Sequence, residues 1–407
     1  MLLAGAAFPA SAFAQCVTDT PAVDACRGGV RLTRPAGATL DLNFMIPGSL
    51  PANVTFTRAS TATYFDATGT MQTAAANAPR WDYANGVLRG LLIEEARTNV
   101  ILNSGNIALW GLFGSTQPVV TANQVTAPDG TLTAARVVYP AVSGAGTFSV
   151  FSQSVTLSVA AYSFSIWLRG NVGGERVYIC ATPDGATYYK ATAILTTAWQ
   201  RFSFVTPNLT AVPWFFETGT DLRDATQAST PAQTIYAWGG QVEPGAFPTS
   251  AIYTVSATVT RAQDISYLPT DTWFNANTSS LLAEYYYPAG NSLGIAAGIS
   301  DTVFNNAFWL NGSQAFRATG ANPTSGLPVA GAVNRLCGTL TTTQIKVSSN
   351  GLAPTGAAHG VAAQTTATRL TVGVSPWALD SPLNGHIRRL QYWPRVLSDA
   401  EMQQVTT

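Results

Sequence analysis

Residues 161–182 read AYSFSIWLRGNVGGERVYICAT. Two runs rich in β-branched and aromatic residues, 161–170 and 176–182, stand on either side of a short break that contains glycine. Such runs are typical of β-strands, because these side chains pack well on a pleated surface. Similar runs recur along the chain, and no long stretch shows the 3.6-residue apolar period of an amphipathic helix. The sequence therefore predicts an all-β protein made of antiparallel β-sandwiches.

Turn-forming clusters separate the predicted strands at intervals near those of sandwiches. In such clusters glycine can adopt a positive φ, and Asp or Asn can hydrogen-bond back to the backbone. They are DATG (66–69), PDG (128–130), PDG (183–185) and SNG (349–351). Because 407 residues exceed what one core ordinarily supports, two or three modules are expected. Boundaries are predicted near 100–106 and 262–272, and the tripeptide Thr-Arg-Ala occurs at 57–59 and at 260–262.

One short helix is predicted at the C-terminal end. The Ser398 side chain can accept a hydrogen bond from the amide of Glu401, whose carboxylate can reach back to the Ser398 amide. This pattern predicts a capped helix within 397–405, following a strand over 387–393. In that strand the spacing from Ile387 to Leu390 breaks strict alternation, which predicts a β-bulge.

The composition is poor in charge. Charged residues make up 10% of the chain, and 21 basic residues balance 21 acidic ones. Nucleic acid is an unsuitable partner for this chain, because binding by counterion release needs a clustered excess of Lys and Arg. The hydroxyl residues, with 18 Phe, 14 Tyr and 10 Trp, are typical of all-β extracellular or virion modules.

The first residues, MLLAGAAFPASAFAQC, contain a short apolar stretch. Residues 12–14 fit the small-x-small rule of a signal-peptide cleavage site, yet no Lys or Arg precedes them. Two interpretations stay open: a secretory signal with a truncated start, and an ordinary apolar virion segment. The stretch is too short for a membrane span and contains Pro9. Cys16 and Cys26 are close enough to close a small disulfide loop in an oxidising compartment, and the sequence does not decide whether they do.

The segment GLLIEEARTN (90–99) places two carboxylates side by side after three aliphatic residues. Adjacent residues on a strand point to opposite faces, so Glu94 and Glu95 cannot flank one glycosidic bond. We expect instead that one of them is buried with an arginine, which joins this segment to the next module. The predicted structural network comprises Arg58, Asp66, Arg80, Asp82, Glu94, Glu95 and Arg97.

Four motifs appear in a fixed order within 38–104: Arg58 to Ser60, Ala62 to Asp66, Arg80 to Tyr83, and Gly90 to Asn99. In this order the segment resembles one found in bacteriophage and prophage tail-fibre or head-spike proteins. Residues 105–265, with YSFSIWLRG and AWGGQVEPGAFPTSAIYT, resemble carbohydrate-binding jelly rolls. Residues 266–407, which end LNGHIRRLQYWPRVLSDAEMQ, are similar to laminin-G-like or concanavalin-like sandwiches. The resemblance implies a leader and linker over 1–37, a fibre segment and two sandwich modules.

A sugar site needs an aromatic face for the C–H side of the ring and polar groups for its hydroxyls, and it leaves little trace in sequence. In the middle module the candidate residues are Tyr188, Tyr189, Trp214, Trp238, Gln241 and Glu243. In the last module they are Trp309, Asn311, Trp377 and Asp380. Each aromatic is also a candidate core residue, because large aromatics are buried on average.

Catalytic and metal motifs are scarce. Nothing in the spacing of the acids singles out an acid–base pair, and neither the nucleophile elbow nor the P-loop pattern occurs. With two histidines and no C-x-x-C, the local pairs that a zinc site of Cys and His requires are missing, so no such site is predicted. The laminin-G resemblance implies that Ca²⁺ is a candidate ligand, with Asp301, Asp380 and Asn384 as oxygen donors in predicted loops, but no EF-hand-type loop assigns it.

These observations predict a phage or prophage spike or fibre adhesin that binds host surface polysaccharide without cutting it. Repeated copies, as a homo-oligomer beside other virion proteins, would raise the affinity of weak sites by about 10²-fold or more. The expected location is the virion, or the extracellular space if the leader is a signal. Two alternatives stay open: a secreted or virion-borne polysaccharide depolymerase, and an architectural decoration protein of the virion.

Overall fold

The computed structural model describes residues 35–210, 212–221, 229–290, 294–317, 322–360 and 362–407. The signal-like segment and the cysteines Cys16 and Cys26 lie outside these ranges. Among the described residues, no helix has the length and apolar character that crossing a membrane would require.

The N-terminal part of the described chain consists of short strands. They are β1 (Leu40–Asn43), β2 (Thr55–Thr57), β3 (Ala62–Phe65), β4 (Met71–Ala74), β5 (Trp81–Ala84), β6 (Val87–Ile93) and β7 (Arg97–Asn99).

The middle part forms a sandwich of two five-stranded antiparallel sheets, in the orders β16-β13-β19-β10-β9 and β15-β14-β17-β12-β8. A 3₁₀ turn, Ile107–Leu109, precedes it. The strands of the middle part are β8 (Gly111–Gly114), β9 (Val119–Val125), β10 (Ala134–Tyr139), β11 (Val142–Ser143), β12 (Phe148–Thr156), β13 (Tyr162–Gly170), β14 (Arg176–Thr182), β15 (Tyr189–Ile194), β16 (Gln200–Val205), β17 (Pro213–Asp221), β18 (Ser229–Thr230) and β19 (Gln233–Pro244). Of these, β11 and β18 pair with each other in a separate two-stranded sheet.

Strand β13 shows why this sequence forms a sandwich. Its alternate residues Tyr162, Phe164, Ile166 and Leu168 all lie in the hydrophobic core between the two sheets. Since successive side chains of a strand point to opposite faces, the two-residue period of the sequence becomes a buried face. The residues of 161–182 thus supply two strands, β13 and β14, one to each sheet.

The last part forms a second sandwich, in which an eight-stranded sheet faces a six-stranded one. A 3₁₀ turn, Phe304–Asn306, interrupts it. The elements of this part of the chain are β20 (Val259–Arg261), β21 (Ile265–Pro269), β22 (Ser279–Tyr286), β23 (Ile295–Ser300), β24 (Phe308–Asn311), β25 (Gln314–Arg317), β26 (Val333–Leu340), β27 (Gln344–Ser349), β28 (Thr355–Ala358), β29 (Arg369–Val372), β30 (Gly385–Trp393) and α1 (Asp399–Thr406).

Four of the N-terminal strands, β1, β2, β5 and β6, are part of this second sandwich, whereas β3 pairs with β4 and β7 with β20 in separate two-stranded sheets. The eight-stranded sheet has the order β28-β27-β26-β22-β30-β6-β5, with β1 also paired to β30, and the other sheet runs β2-β21-β29-β23-β24-β25. Leu42, Phe44, Phe56, Leu91 and Ile93 lie in the same core as the apolar residues of β22 to β30. Residues 38–104 and 266–407, which are separate modules along the chain, therefore share two sheets and one core in space.

Strand β30 contains the predicted bulge. Glu284 of β22 is paired with Arg389, and the next residue, Tyr285, is paired with Ile387, so Arg388 is the extra residue. Strand β6 approaches β30 closely at Gly90, whose φ is 130° and where a Cβ would lie 2.4 Å from the carbonyl oxygen of Ile387. Only glycine fits there without displacing one of the two strands.

The all-β fold and the short C-terminal helix are both confirmed. Helix α1 begins after Ser398 with the predicted capping box, because Ser398 Oγ accepts from the Glu401 amide at 3.3 Å and Glu401 Oε2 accepts from the Ser398 amide at 2.7 Å. Met402 and Val405 of the helix are buried against Trp393 and other apolar residues. The helix thus covers the outside of the eight-stranded sheet near the end of β30.

Substituting Leu91 tests whether the N-terminal strands and the last sandwich unfold together. We expect Leu91→Ala to lower the free energy of unfolding by about 2–5 kcal/mol, because it leaves a cavity in the shared core. Hydrogen exchange should quicken in β22 and β30, and not only in β6. The control is Val87→Ala in the same strand, where the side chain is exposed. Faster exchange confined to residues 38–104 would contradict the shared core.

Candidate functional site

A network of buried charges lies where the N-terminal strands, the end of the middle sandwich and the start of the last sandwich meet. Arg58 and Arg80 both bind the carboxylate of Asp264: Arg58 Nη1 donates to Oδ1 at 3.0 Å and Arg80 Nη2 to Oδ2 at 2.5 Å. Oδ2 also accepts from the backbone amide of Glu94 at 2.9 Å. The side chains of all three charged residues are fully buried. Asp264 is therefore the residue at which two strands of the N-terminal segment are held together.

Glu94 is the second carboxylate of this network. Its Oε2 lies 2.8 Å from Arg80 Nη1 and also contacts the guanidinium of Arg261. Ser250, just after the middle sandwich, donates its amide to Oε1 at 2.8 Å and its hydroxyl to Oε2 at 2.7 Å. Arg58 completes the attachment through its Nη2, which donates to the carbonyls of residues 75 and 78 at 2.7 and 3.0 Å. Charge-assisted bonds of this kind are the strongest polar contacts in a protein interior.

The electrostatics of the network suit structure and not acid–base chemistry. Burial alone would raise the pKa of Glu94, but Arg261, Arg80 and the two Ser250 contacts outweigh burial and lower the pKa to about 2. A carboxyl group with such a pKa is ionised at neutral pH and has no proton to give to a leaving group. Glu95, the neighbouring carboxylate, faces the other way and contacts Arg97.

The remaining predicted network residues lie elsewhere. Asp66 closes its own turn, where Oδ1 accepts from the amides of Thr68 and Thr70 at 2.9 and 3.0 Å. Asp82 accepts from the amide of Phe65 at 2.8 Å and lies 2.9 Å from His386 Nε2, so it links β5 to β30. The structure therefore brings Arg58, Arg80 and Glu94 into one network and places Asp66 and Asp82 outside it.

Two members of the network, Arg261 and Asp264, were not assigned to it from the sequence. The repeated Thr-Arg-Ala was the available signal: Arg58 belongs to the first copy and Arg261 to the second. Asp264 follows the second copy, and its amide donates to the carbonyl of Glu94 at 3.0 Å. Because 170 residues separate the two in the chain, no local pattern connects them.

Removing the charge of Asp264 tests the structural role of the network. Asp264→Asn leaves Arg58 and Arg80 buried without their shared counter-charge, so we expect the free energy of unfolding to fall by about 3–5 kcal/mol. Denaturant unfolding of both proteins measures this change. Asp271→Asn, an exposed neighbour, is the matched control. Unaltered stability of Asp264→Asn would show that the network contributes little.

The pKa of Glu94 predicts how stability depends on pH. Its folded-state pKa of about 2 lies below the ordinary 4.5, so the stability it contributes is fully present above pH 4.5 and is lost as pH falls towards 2. We expect Glu94→Gln to be less stable at pH 7 and to show a smaller loss of melting temperature between pH 4.5 and 2. Glu95→Gln is the control. If melting temperature falls equally steeply with pH in the parent and in Glu94→Gln, the lowered pKa of Glu94 is contradicted.

An aromatic cluster lies on the outer face of the six-stranded sheet. Trp309 of β24 stacks on its cross-strand partner Phe316 with ring centroids 4.9 Å apart and an interplanar angle of 3°. Trp377 packs edge-on against Trp309 at 4.8 Å, and Phe304 packs against Trp377, also at 4.8 Å. The neighbours of Trp309 along the strand lie in the core, so these rings face away from it. We call Phe304, Trp309, Phe316 and Trp377 the outer aromatic cluster.

The cluster contains two of the predicted residues and presents part of its surface to solvent. Trp309 is buried beneath the other rings, Phe316 and Trp377 are half-buried, and Phe304 is 45% exposed. Arg369 holds the segment that carries Trp377, donating to the carbonyls of Pro376 and Trp377 at 2.8 and 2.7 Å. Rings that are already held in place lose little conformational entropy when a ligand stacks on them.

Among the other polar candidates of the last module, Asp301, Asp380 and Asn384 hydrogen-bond to protein groups. Asn311 is half-buried at the end of β24, two residues from Trp309. Asp380 is exposed and accepts from Ser375 Oγ at 2.5 Å. Asp301 accepts from Asn306 and Thr366 at 2.7 Å each, while Asn384 binds the amide of Glu95 at 3.0 Å. Within the described ranges, His, Cys, Asp and Glu form no group of three that suits a metal ion.

In the middle sandwich, Trp238, Gln241 and Glu243 are all buried. Gln241 donates to Glu243 at 2.8 Å, and Glu243 accepts from the Thr249 amide and hydroxyl at 2.7 Å each. Trp238 Nε1 donates to Thr133 Oγ1 at 3.0 Å. Gln241 and Glu243 therefore fix the chain that leads to Ser250, and their polar atoms bind protein groups. Trp238 lies at the base of a cavity that opens to solvent.

The predicted residues Tyr188, Tyr189 and Trp214 lie on the other sheet of the middle sandwich. Trp214 belongs to the core and packs against Tyr189 with ring centroids 5.9 Å apart. Tyr188 is half-buried, its hydroxyl donates to the carbonyl of Gly185, and the ammonium of Lys190 lies 5.9 Å from its ring centroid. The structure separates these three from Trp238 and from the outer aromatic cluster.

Among solved structures, the chain is similar to several whose names mention carbohydrates or a phage, and three of them follow. The carbohydrate-binding module TmCBM61 in complex with β-1,4-galactotriose is 12% identical, with 36% of this chain and 99% of that chain covered and a TM-score of 0.26. The CBM40 of the Ruminococcus gnavus IT-sialidase, bound to α2,3 sialyllactose, is 15% identical, with coverages of 32% and 83% and a TM-score of 0.27. The enzymatically active domain of bacteriophage CBA120 tailspike protein 4 is 13% identical, with coverages of 35% and 21% and a TM-score of 0.26.

Sequence comparisons add two further results. No curated protein matches the chain. Residues 244–403, however, match the family model of the concanavalin A-like lectin/glucanases superfamily. This range includes the outer aromatic cluster and nearly all strands that residues 266–407 contribute to the second sandwich. The second sandwich, which these residues build for the most part, therefore has a concanavalin-like fold.

Proposed function

We propose that this protein binds glycans without cutting them, as a spike or fibre adhesin of a phage or prophage that attaches to host surface polysaccharide. The observation that carries the proposal is the outer aromatic cluster, which lies within the part of the chain that matches a lectin and glucanase superfamily. Phe304 and Trp377 offer partly exposed rings to the C–H face of a sugar.

Polar groups beside the cluster suit the hydroxyls of a bound sugar. Asn311 lies two residues from Trp309 on the same face of β24, and Gln314 lies two residues from Phe316 on β25. Asp380 is exposed three residues after Trp377. Aromatic faces with a few placed amides and carboxylates are the usual composition of a shallow sugar site.

The pairing of two buried acids, Glu94 and Glu284, supports binding without catalysis. A glycosidase needs one carboxylic acid that keeps its proton near neutral pH. Glu284, like Glu94, is buried between two arginines: Arg335 and Arg388 donate to it at 2.9 and 2.8 Å. Burial would raise the pKa of Glu284, but the two arginines outweigh it and lower the pKa. These acids are ionised members of structural ion pairs.

The phage part of the proposal rests on the resemblance of residues 38–104 to a spike and fibre segment. Because β1, β5 and β6 of that segment belong to the sheet of the C-terminal sandwich, attachment of the segment to a virion would hold the sugar site rigidly. We propose a virion or extracellular location, with other virion proteins and further copies of this chain as partners. Repeated copies would raise the affinity of a weak site through avidity.

Size-exclusion chromatography of host capsular or O-antigen polysaccharide with the purified protein tests the proposal. We expect intact polymer to co-elute with the parent protein. Phe304→Ala combined with Trp377→Ala should weaken binding about tenfold, since each aromatic contact contributes about 0.5–1.5 kcal/mol. Phe113→Ala is the matched control, because Phe113 is an aromatic of equal exposure on the middle sandwich, at 44%.

Two outcomes would contradict the proposal. A shift of the polymer to later elution would mean that chains were cut and that the protein is a depolymerase. Equal binding by the cluster variant and the parent would show that the outer aromatic cluster does not carry the activity. Melting temperatures of the variants within a few degrees of the parent would confirm that any loss reflects the site and not the fold.

A further inference from the structure

The cavity at Trp238, of about 330 Å³, lies on the middle sandwich, away from the outer aromatic cluster. It is bounded by the segment 103–109, by the segment 123–133 around the turn between β9 and β10, by Trp238 of β19 and by residues 253–255. Trp238 faces away from the core between the two sheets, since its neighbour Ala237 lies in that core and Trp238 does not. The cavity therefore sits on the outside of the sandwich, where a ligand can reach it.

The base of the cavity is aromatic and held in place. Trp238 packs edge-on against Tyr253 with ring centroids 5.1 Å apart. Trp238 Nε1 donates to Thr133 Oγ1 at 3.0 Å, and Tyr253 Oη donates to Met71 Sδ at 2.6 Å. Both rings are thus fixed before any ligand arrives, which reduces the entropy lost on binding.

Side-chain amides are presented around this base. Asn106 is exposed and makes no cap hydrogen bond to the 3₁₀ turn that follows it. Asn123 is exposed on β9, and its backbone has a left-handed φ of 57°. The backbone of Asn103, with φ 50°, is fixed because its N–H donates to the carbonyl of Val255 at 2.9 Å, which leaves the side-chain amide available. Each amide offers both a donor and an acceptor, which suits the hydroxyls of a sugar.

The rim of the cavity is aliphatic. Leu109 is 63% exposed and Val255 is 74% exposed, and both line the cavity. Trp238 itself is buried, so the apolar surface open to the C–H face of a pyranose ring comes from Leu109, Val255 and the half-buried Tyr253, while the asparagine side chains suit its hydroxyl edge. The volume is near the lower end of the range for ligand pockets, which suits one or two sugar rings.

The charge of the lining restricts the ligand. Asp129 is the acidic residue of the lining, and no Lys or Arg is among the residues that bound the cavity. One oxygen of Asp129 accepts from the amide and hydroxyl of Thr131 at 3.0 and 2.7 Å, which holds the carboxylate at the rim. A carboxylated or sulfated sugar would meet a like charge here without any counter-charge.

We infer that this cavity is a second glycan site, which takes a neutral pyranose and rejects acidic sugars. The inference extends the proposed glycan binding to a separate surface. It rests on the proposed function only in taking the ligand to be a glycan. The outer aromatic cluster and the cavity belong to different sandwiches, so each is testable while the other is disabled.

Gly105 allows a matched pair of variants. A Cβ at this position would lie 3.6 Å from Trp238 Nε1, an ordinary contact, and the backbone there is not in the left-handed region. Gly105→Ala should therefore leave the cavity open, whereas the ring of Gly105→Phe should fill it. Equal melting temperatures of the two variants would show that the fold is retained.

The test is calorimetric titration of the full chain carrying Phe304→Ala and Trp377→Ala, so that remaining binding belongs to the cavity. The probes are the neutral trisaccharides β-1,4-galactotriose, cellotriose and mannotriose, and the acidic 3′-sialyllactose. We expect at least one neutral probe to bind, Gly105→Ala to retain its affinity within about twofold, and Gly105→Phe to lose at least tenfold. Sialyllactose should bind at least tenfold more weakly than the best neutral probe. Asp129→Asn should reduce this difference in affinity.

Several results would overturn the inference. Binding that is unchanged by Gly105→Phe, binding of sialyllactose equal to the neutral probes, or no neutral probe bound in the cluster-disabled protein would each do so. If the parent binds polysaccharide and the cluster variant does not, the second site is wrong and the proposed function stands. If Gly105→Phe alone abolishes binding, the cavity is the site and the outer aromatic cluster is not.

Discussion

The buried pairing of three arginines with two carboxylates is the constraint on which the arrangement of this chain depends. A buried charge is costly unless it is paired, so Arg58, Arg80 and Arg261 are tolerated only while Glu94 and Asp264 are in place. These residues come from the N-terminal strands and from the connection between the two sandwiches, and Ser250 binds Glu94 from the end of the middle sandwich. Any displacement of one region would leave charges unpaired, and the network therefore fixes how the regions meet.

The short segment 90–99 shows how one stretch serves both the core and the network. Leu91 and Ile93 enter the core of the last sandwich, where Gly90 permits the close approach of β6 to β30. The strand then ends, and Glu94 turns its carboxylate into the buried network while Glu95 contacts Arg97 on the other side. Because the apolar and charged parts are adjacent, packing of the core positions Glu94 for its partners.

The local features of the fold were predictable, because each depends on residues close in sequence. The alternation in β13, the capping box of α1 and the bulge at Arg388 follow from the spacing of two to four residues. The pairing of Asp264 with Arg58 was not predictable, since 206 residues separate them and any buried acid would satisfy an arginine equally well. Nor did the sequence distinguish Gln241 and Glu243, buried in a strand, from polar residues of a strand that faces solvent.

The buried charge network lies between the two sandwiches and fixes the position of the outer aromatic cluster relative to the cavity at Trp238. The outer aromatic cluster belongs to the sheet that contains β2, and the cavity at Trp238 is bounded by a turn whose Pro128 carbonyl accepts from the amide of Met71 in β4. Both surfaces are thus attached to the same N-terminal segment, which the network holds against Ser250. Two weak sites on a rigid frame gain affinity only for a polymer that can reach both at once. The buried charges contact no ligand. By fixing the distance between the two sites, they would then decide how far apart two matching sugar units of a polysaccharide must lie to bind both.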